Sequence, residues 1–579
     1  MRSRIFKGLS AWDALGSFGI FAQWKVKRIL SSAKQRRAVM LKRYPEARKI
    51  LGAASIAFVT YLAQGTWAAT RYVDGSGQYW PSAYRTIQQG IDAASDGDTV
   101  QVMGIAGAYS ENIHFDGKDI VVTGIGSTVI APGGIGPVVT FAGTEGDTCR
   151  LHGFIIQSGR AGNGGGICGG DEHNHTHAAI SNNVIVGNRA DHAGGGIAYC
   201  DGDISDNEIA QNRAADSGGG LHECNGTIEN NVIVGNEAGH AGGGIAYCDG
   251  DISGNTIAQN HAADSGGGLH DCDGSILGNV ISENTAASFA GGLSECDGLI
   301  QGNVIRDNSA DDGGGLWWCW GMIENNSISG NQAVWGGGLS DCHGKIRNNV
   351  ITANTTALAG GGLYDCDGII ANNTIVGNSA FRAGGALSDC DGAILNCIIW
   401  GNGNNENSQI TGGDIPCFSC IQNWTGGGLA NISEDPRFAD PDGPDDDPDT
   451  DLDNDFRLSV NSPCVDVGMN ENWMWNGTDK DNQPRIFYGH FSKTVDMGAY
   501  EFGSWDFRIL SVESEPGLGV LLSWRGRTTA LTEYTVWSTS DLSFGEWVQE
   551  ADVTSIHTPV YWRDATSGGH TKFYKVEIK

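Results

Sequence analysis

The segment DSGGGLHDCDGSILGNVISENTAA, residues 264–287, is one full copy of the unit from which most of this chain is built. Its cysteine belongs to a column at Cys200, Cys224, Cys248, Cys272, Cys296, Cys319, Cys342, Cys366 and Cys390, where successive steps are 24 residues apart from two of 23. Its asparagines belong to two more columns on the same period, one running from Asn183 to Asn373 and the other from Asn188 to Asn402. The glycine triplet recurs at 194, 218, 242, 266, 313, 336 and 360. With the variants Ala290-Gly291-Gly292 and Gly384-Gly385-Ala386, adjacent glycines in every unit exclude helical repeats, because glycine is a poor helix former. The remaining pieces, such as Asn183-Val184-Ile185-Val186, alternate as short strands do.

A fixed period of this length means a solenoid. Twenty-four residues at ~3.3 Å each trace ~80 Å per coil, enough for three sides, and coils stack ~4.8 Å apart. The expected fold is therefore all-β: a right-handed parallel β-helix. Stacked asparagines can share amide hydrogen bonds along the axis, and glycine columns permit corners at positive φ. The two 23-residue steps predict a shortened corner near Cys319 and Cys342. Residues 184–226 and 232–274 are nearly copies, as if a two-coil unit had been duplicated. Stacked thiols point the same way, which is poor disulfide geometry, so the nine-cysteine ladder reads as buried small apolar side chains.

The 579 residues carry a formal charge of -32. That argues against nucleic acid as a partner and suits a monomeric extracellular protein that meets glycans, cations or other surface partners. Lys42, Arg43, Arg48 and Lys49 precede an apolar run over 50–62 and small residues to Ala69. This order reads as an export signal, with residues 1–69 as leader and Met40 as an alternative start. The run is too short to span a bilayer comfortably, so no transmembrane anchor is expected.

The repeats resemble the right-handed β-helix proteins of the pectin-lyase-like superfamily. Tyr72-Val73-Asp74, the stretch Tyr84 to Ala94 and Gly97-Asp98-Thr99-Val100 resemble the opening of many such bacterial proteins, with Ile87, Ile91 and Ala94 on the apolar face of a short end-covering helix. Ser462-Pro463-Cys464-Val465-Asp466-Val467-Gly468, Asn482-Gln483-Pro484-Arg485 and Val495 to Glu501 are similar to the choice-of-anchor Q module of bacterial surface proteins. In residues 505–579 glycine thins out, and the segment resembles a small fibronectin-like β-sandwich. The resulting division is 70–177 for the cap helix and irregular first coils, 178–402 for the regular coils, and 403–504 for the last coils and an Asp-rich cap. The resemblance implies a secreted or cell-surface protein. The Asn-Thr-Asp, Gly-His-Gly and Arg-Ile-Lys elements of polygalacturonase-like enzymes are missing, and the repeats carry no Arg-x-Pro-x-x-Arg element of pectate lyases.

If the cysteine strand points its thiol inward, its neighbours point outward. The residues before it include Glu223, Asp271, Glu295, Asp341, Asp365 and Asp389, and those after it Asp201, Asp249, Asp273, Asp297, Asp367 and Asp391. Such rows need raised pKa values, screening or bound cations. The pattern is interrupted once, where Trp317, Trp318 and Trp320 surround Cys319 and Trp335 sits in the next corner. Glu295, Asp297, Asp341 and His343 are expected beside them, with Asp311 and Asp312 in the corner loop. Aromatics next to carboxylates make a sugar platform. The primary reading is a non-catalytic scaffold or adhesin presenting this face to a polysaccharide or cell-surface glycan. The alternative is a polysaccharide lyase or glycoside hydrolase using those four acid–base residues, whose carboxyl spacings of ~5–9.5 Å a regular stripe satisfies everywhere.

Three smaller features complete the reading. Alternating His173, His175 and His177 could face one way as metal ligands or form a polar loop. The run containing Asp440, Asp442, Asp445, Asp447 and Asp449 is an oxygen-rich candidate for Ca²⁺. In an exported protein Cys420 with Cys464 is a disulfide candidate, and Cys417 with Cys420 its competitor.

Overall fold

The structure is a computed structural model that describes residues 68–403, 408–443, 454–459, 461–486 and 494–502, together with six strands between 509 and 578. The leader and Asp445, Asp447 and Asp449 lie outside the described residues.

The chain winds into an all-β parallel solenoid of about 13 turns. Three sheets run along it. The longest has 25 strands, two from each regular coil and one from each of the coils at its ends; the second has 13; the third is split into stretches of six and three. Neighbouring strands pair in parallel at the sequence period, as in Ile257↔Ile281 and Leu269↔Leu293. Each coil turns the same side chains inward. In the unit quoted above, Leu269, Cys272, Ile276 and Ile281 are fully buried, and their equivalents stack above and below.

The corners are held by amides. Asn260 donates its backbone N–H and its Nδ2 to Asn284 Oδ1, each at 3.0 Å, and Asn284 does the same to Asn308. Asn284 Nδ2 also reaches Ile257 O at 2.9 Å. A buried amide is costly unless its donors and acceptors are used, and here both ends are. The column from Asn183 to Asn373 bonds in the same way.

Two expectations are corrected. The cysteine does not lie on a strand. Strands such as Leu269–His270 and Leu293–Ser294 end two residues before it. The intervening acid adopts a left-handed backbone, with φ of 50° at Asp271, 55° at Glu295 and 52° at Asp341, and this bend drives the thiol inward. Nor is the shortened corner at the cysteines. Thr285 bridges Ser309 while Phe289 bridges Asp312, so the missing residue falls between Ser309 and Asp312. The register recovers at Trp335↔Ala359. Isolated bridges through Ser309 and Asp312 join the two stretches of the third sheet there.

At the start of the solenoid, helix Ile87–Asp92 is capped by Thr86 and buries Ile87 and Ile91 in the core. A Cβ at Gly90 would stand 2.6 Å from Val73 Cγ2, so the helix lies directly on the first strands. After two final coils the chain folds back as a strap along the long sheet. Asn348 Nδ2 donates to Thr478 O, Asn372 Nδ2 to Asp496 O and Asn396 Nδ2 to Met469 O. Lys480 Nζ donates to Asn325 O at 3.1 Å. The strap buries Asp479, Arg485 and Asp496, and an ion pair joins Arg485 to Glu501. The six strands between 509 and 578 pair as two three-stranded antiparallel sheets.

Candidate glycan-binding surface

The interruption at Cys319 gathers rings from several coils. Trp317 stacks on Phe289 with centroids 4.2 Å apart and planes inclined by 25°. Trp317 meets Trp318 edge-on at 5.0 Å, Trp318 is 6.1 Å from Trp320, and Trp320 is 5.6 Å from His343. Trp318 and Trp320 are 44% and 52% exposed, a large display of indole for a soluble surface. Trp318 points outward because it occupies the left-handed corner position, φ 52°, taken by acids in neighbouring coils. Trp335 is not in this chain of rings. It pairs with Tyr364 at 4.9 Å, two residues before the next cysteine of the column.

Beyond Trp320 lies an open groove of about 600 Å³ lined by Trp320, Met322, His343, Lys345, Asp367, Ile369 and Asp391. Its floor is the glycine that follows each cysteine pair, at 321, 344, 368 and 392. A Cβ at Gly344 would stand 1.9 Å from Gly321 O, so this floor is bare backbone by necessity.

The acids after the cysteines are less available than the sequence implied. Asp297 accepts the N–H of Trp320 at 2.8 Å and donates its own N–H to Asp273 Oδ1 at 3.0 Å. Asp391 N–H reaches Asp367 Oδ1 in the same way. Asp367 N–H reaches His343 Nδ1 at 3.1 Å, which leaves the imidazole proton on Nε2. The row is relieved by backbone donors, a route that composition could not reveal. The acids before the cysteines lack this help. Burial first, and then like charges in the same and neighbouring coils, push Asp271, Glu295 and Asp365 above the usual carboxylate range.

Asp312 lies between the two ring pairs, bridging Phe289 on one side and Trp335 on the other. Burial and the charges of Asp341 and Asp365 raise its pKa. The Ser340 hydroxyl donates to Asp341 at 2.9 Å and also lies against Asp312, so one proton serves two carboxyls and Asp312 Oδ1 is left without a partner. Phe289, Ser340 and Tyr364 were not identified from sequence. Neither was the run His175, Tyr199, His222, Tyr247 and His270, whose rings follow one another at 5.3–6.0 Å. A signal existed: Ala-Tyr-Cys and His-acid-Cys alternate from coil to coil.

The remaining candidates separate. His175 Nδ1 lies 2.9 Å from Asp201 Oδ1, whereas His173 and His177 are exposed, and no metal-holding group forms among the described residues. The alternation fails because the loop is a hairpin, Gly170–Asp171 against Asn174–His175, rather than one extended run. Asp440 and Asp442 are exposed beside a turn closed by Gly443 N–H on Asp440 O. Cys420 and Cys464 are buried in one small cluster, both as thiols. No family model, curated protein or solved structure matches this chain.

Proposed function

We propose that this protein is an exported β-solenoid that binds a polysaccharide without cleaving it. The observation that carries the reading is the display of Trp318 and Trp320 at a rigid corner, backed by the stacked Trp317 and Phe289 and open to the glycine-floored groove. Indole faces match the apolar faces of pyranose rings, and a backbone floor lets a chain approach closely. The pectin-lyase-like resemblance of the coils supports a polysaccharide as ligand class, by analogy of fold alone. Occupation of Asp297, Asp367 and His343 by backbone N–H groups supports binding over turnover, since a general acid or base needs its polar atoms free for substrate.

The test is affinity electrophoresis of the full chain in gels containing neutral, basic or uronic polysaccharides. Retardation by at least one polymer, lost in Trp318→Ala/Trp320→Ala without a change in melting temperature, is the expected result. Equal retardation of the double variant would remove the indole corner from the site. New reducing ends or unsaturated products would replace the binding role with an enzymatic one.

A further inference from the structure

The strip between the third-sheet corner and the cysteine column has a floor and a wall that differ in kind. The floor is the second residue of each short second-sheet strand, including His270, Ser294, Trp317, Ser340 and Tyr364, which pair in register one per coil. Unsatisfied polar atoms concentrate here. Ser294 is fully buried and its Oγ has no partner; His270 is 6% exposed and its Nδ1 has none; Asp312 Oδ1, in the adjoining corner, is buried without a partner too. Buried groups of this kind are rare in native proteins and ask for an explanation.

The wall carries Asp271, Glu295, Asp341 and Asp365, and Asp312 stands opposite the last two. Among the described residues no lysine or arginine forms an ion pair with any of these five. Burial pushes the His270 imidazole down to about 4, so it brings no compensating charge near neutrality. The strip thus offers half-buried rings at Phe289, Trp317, Trp335 and Tyr364, an uncompensated carboxylate in almost every coil, and orphan polar atoms in the floor. Its repeat of ~4.8 Å per coil is close to the rise of one hexopyranose residue in an extended 1,4-linked chain.

Resting on the glycan-binding reading above, we infer that the ligand is an amine-bearing polysaccharide of the glucosamine type, lying along the solenoid axis with its ammonium groups against Asp271, Glu295, Asp312, Asp341 and Asp365. Ring faces stack on the aromatic residues. Uronic or sulfated polymers are repelled by the same wall. A basic peptide satisfies the charges but not the rings, and so is disfavoured.

Calorimetric titration of the full chain with four hexamers tests this: glucosamine, N-acetylglucosamine, galacturonate and lysine. Glucosamine hexamer is expected to bind about tenfold or more tighter than its acetylated form. Glu295→Gln/Asp365→Asn, which keeps shape and removes charge, should erase that difference while leaving the acetylated hexamer unaffected. Equal or tighter binding of the acetylated or uronic hexamer refutes the amine assignment but leaves a glycan site standing. Hexalysine binding as tightly as glucosamine, and insensitive to Trp317→Ala, overturns the polysaccharide class. Binding of none of the hexamers overturns both this inference and the reading beneath it.

Discussion

Replacing Asn284 by alanine tests the amide ladder where it is most regular. The side chain accepts two bonds at Oδ1, from the Asn260 backbone N–H and Asn260 Nδ2, and Nδ2 donates to Ile257 O and Asn308 Oδ1, all at 2.9–3.0 Å. Asn260 Nδ2 keeps its bond to Ile233 O, and Asn308 Oδ1 keeps the Asn284 N–H. The Asn260 N–H and the Ile257 carbonyl lose these partners inside a dry corner, at ~1–3 kcal/mol each. With the small void left behind, the total is about 3–5 kcal/mol. Hydrogen exchange is the direct assay, because the Asn260 amide should lose protection selectively, and urea unfolding should move to lower midpoint. Asn284→Ala/Asn308→Ala should cost less than the sum of the single changes, since the pair shares two bonds. A loss below about 1 kcal/mol, an Asn260 amide still protected, or strict additivity would refute the view that the ladder holds the corners.

Glycine should divide by surroundings. Gly278→Ala meets nothing within 4 Å and pays only for its φ of 62°, ~1–2 kcal/mol, whereas a Cβ at Gly267 stands 2.5 Å from Gly291 O, so Gly267→Ala should cost ~3 kcal/mol or more and lower the melting temperature far further. The strap should weaken as pH rises. Burial lifts Asp496 from 3.8 to about 7, so the folded state holds a proton that the unfolded state has released; the penalty is absent below pH 3.8, grows up to pH 7, and reaches at most about 4 kcal/mol above it. Exchange protection of residues 494–502 should therefore fall between about pH 4 and pH 7 and level off above, and a flat profile would contradict the assignment. In protein recovered from an oxidising compartment, non-reducing peptide mapping should find Cys420 joined to Cys464 while the nine stacked cysteines remain unalkylated until unfolding; an unjoined pair would mean that contact alone suffices there.

The solenoid was legible because its determinants are columnar. Asparagine, glycine and cysteine recur on one period, and each has a corner or core position that a single coil explains. Less legible was anything that depends on adjacency between coils. A carboxylate in sequence looks like a charge seeking a counter-ion, and only stacking reveals that Asp297 faces the N–H of Trp320. The αL bend was hidden because the column mixes Asp271 and Asp341, types that tolerate positive φ, with Glu295 and Trp318, which do not signal it. Trp317, Trp318 and Trp320 stood out as an interruption, but Phe289, which stacks on Trp317, and Tyr364, which pairs with Trp335, lie in other coils and become neighbours only once the coils are stacked. The strap was recognisable as a distinct module, yet its course over the long sheet rests on Asn348, Asn372 and Asn396, whose side chains do nothing unusual in sequence.

The Asn188-to-Asn402 ladder ends at Gln409. Asn402 gives its N–H and Nδ2 to Gln409 Oε1, as every earlier asparagine does to the next, and Gln409 Nε2 returns a bond to Asn402 O. At the opposite end Gly159 N–H fills Asn188 Oδ1. Since each coil offers its successor the same chemistry it received, nothing within the ladder counts coils. Rod length is set by the two stoppers, and a 24-residue unit can be gained or lost between them without disturbing either. The near-identical blocks 184–226 and 232–274 are what such tolerance leaves behind: reach along the axis becomes an inheritable quantity adjusted in whole steps, independent of the surface displayed at any one level.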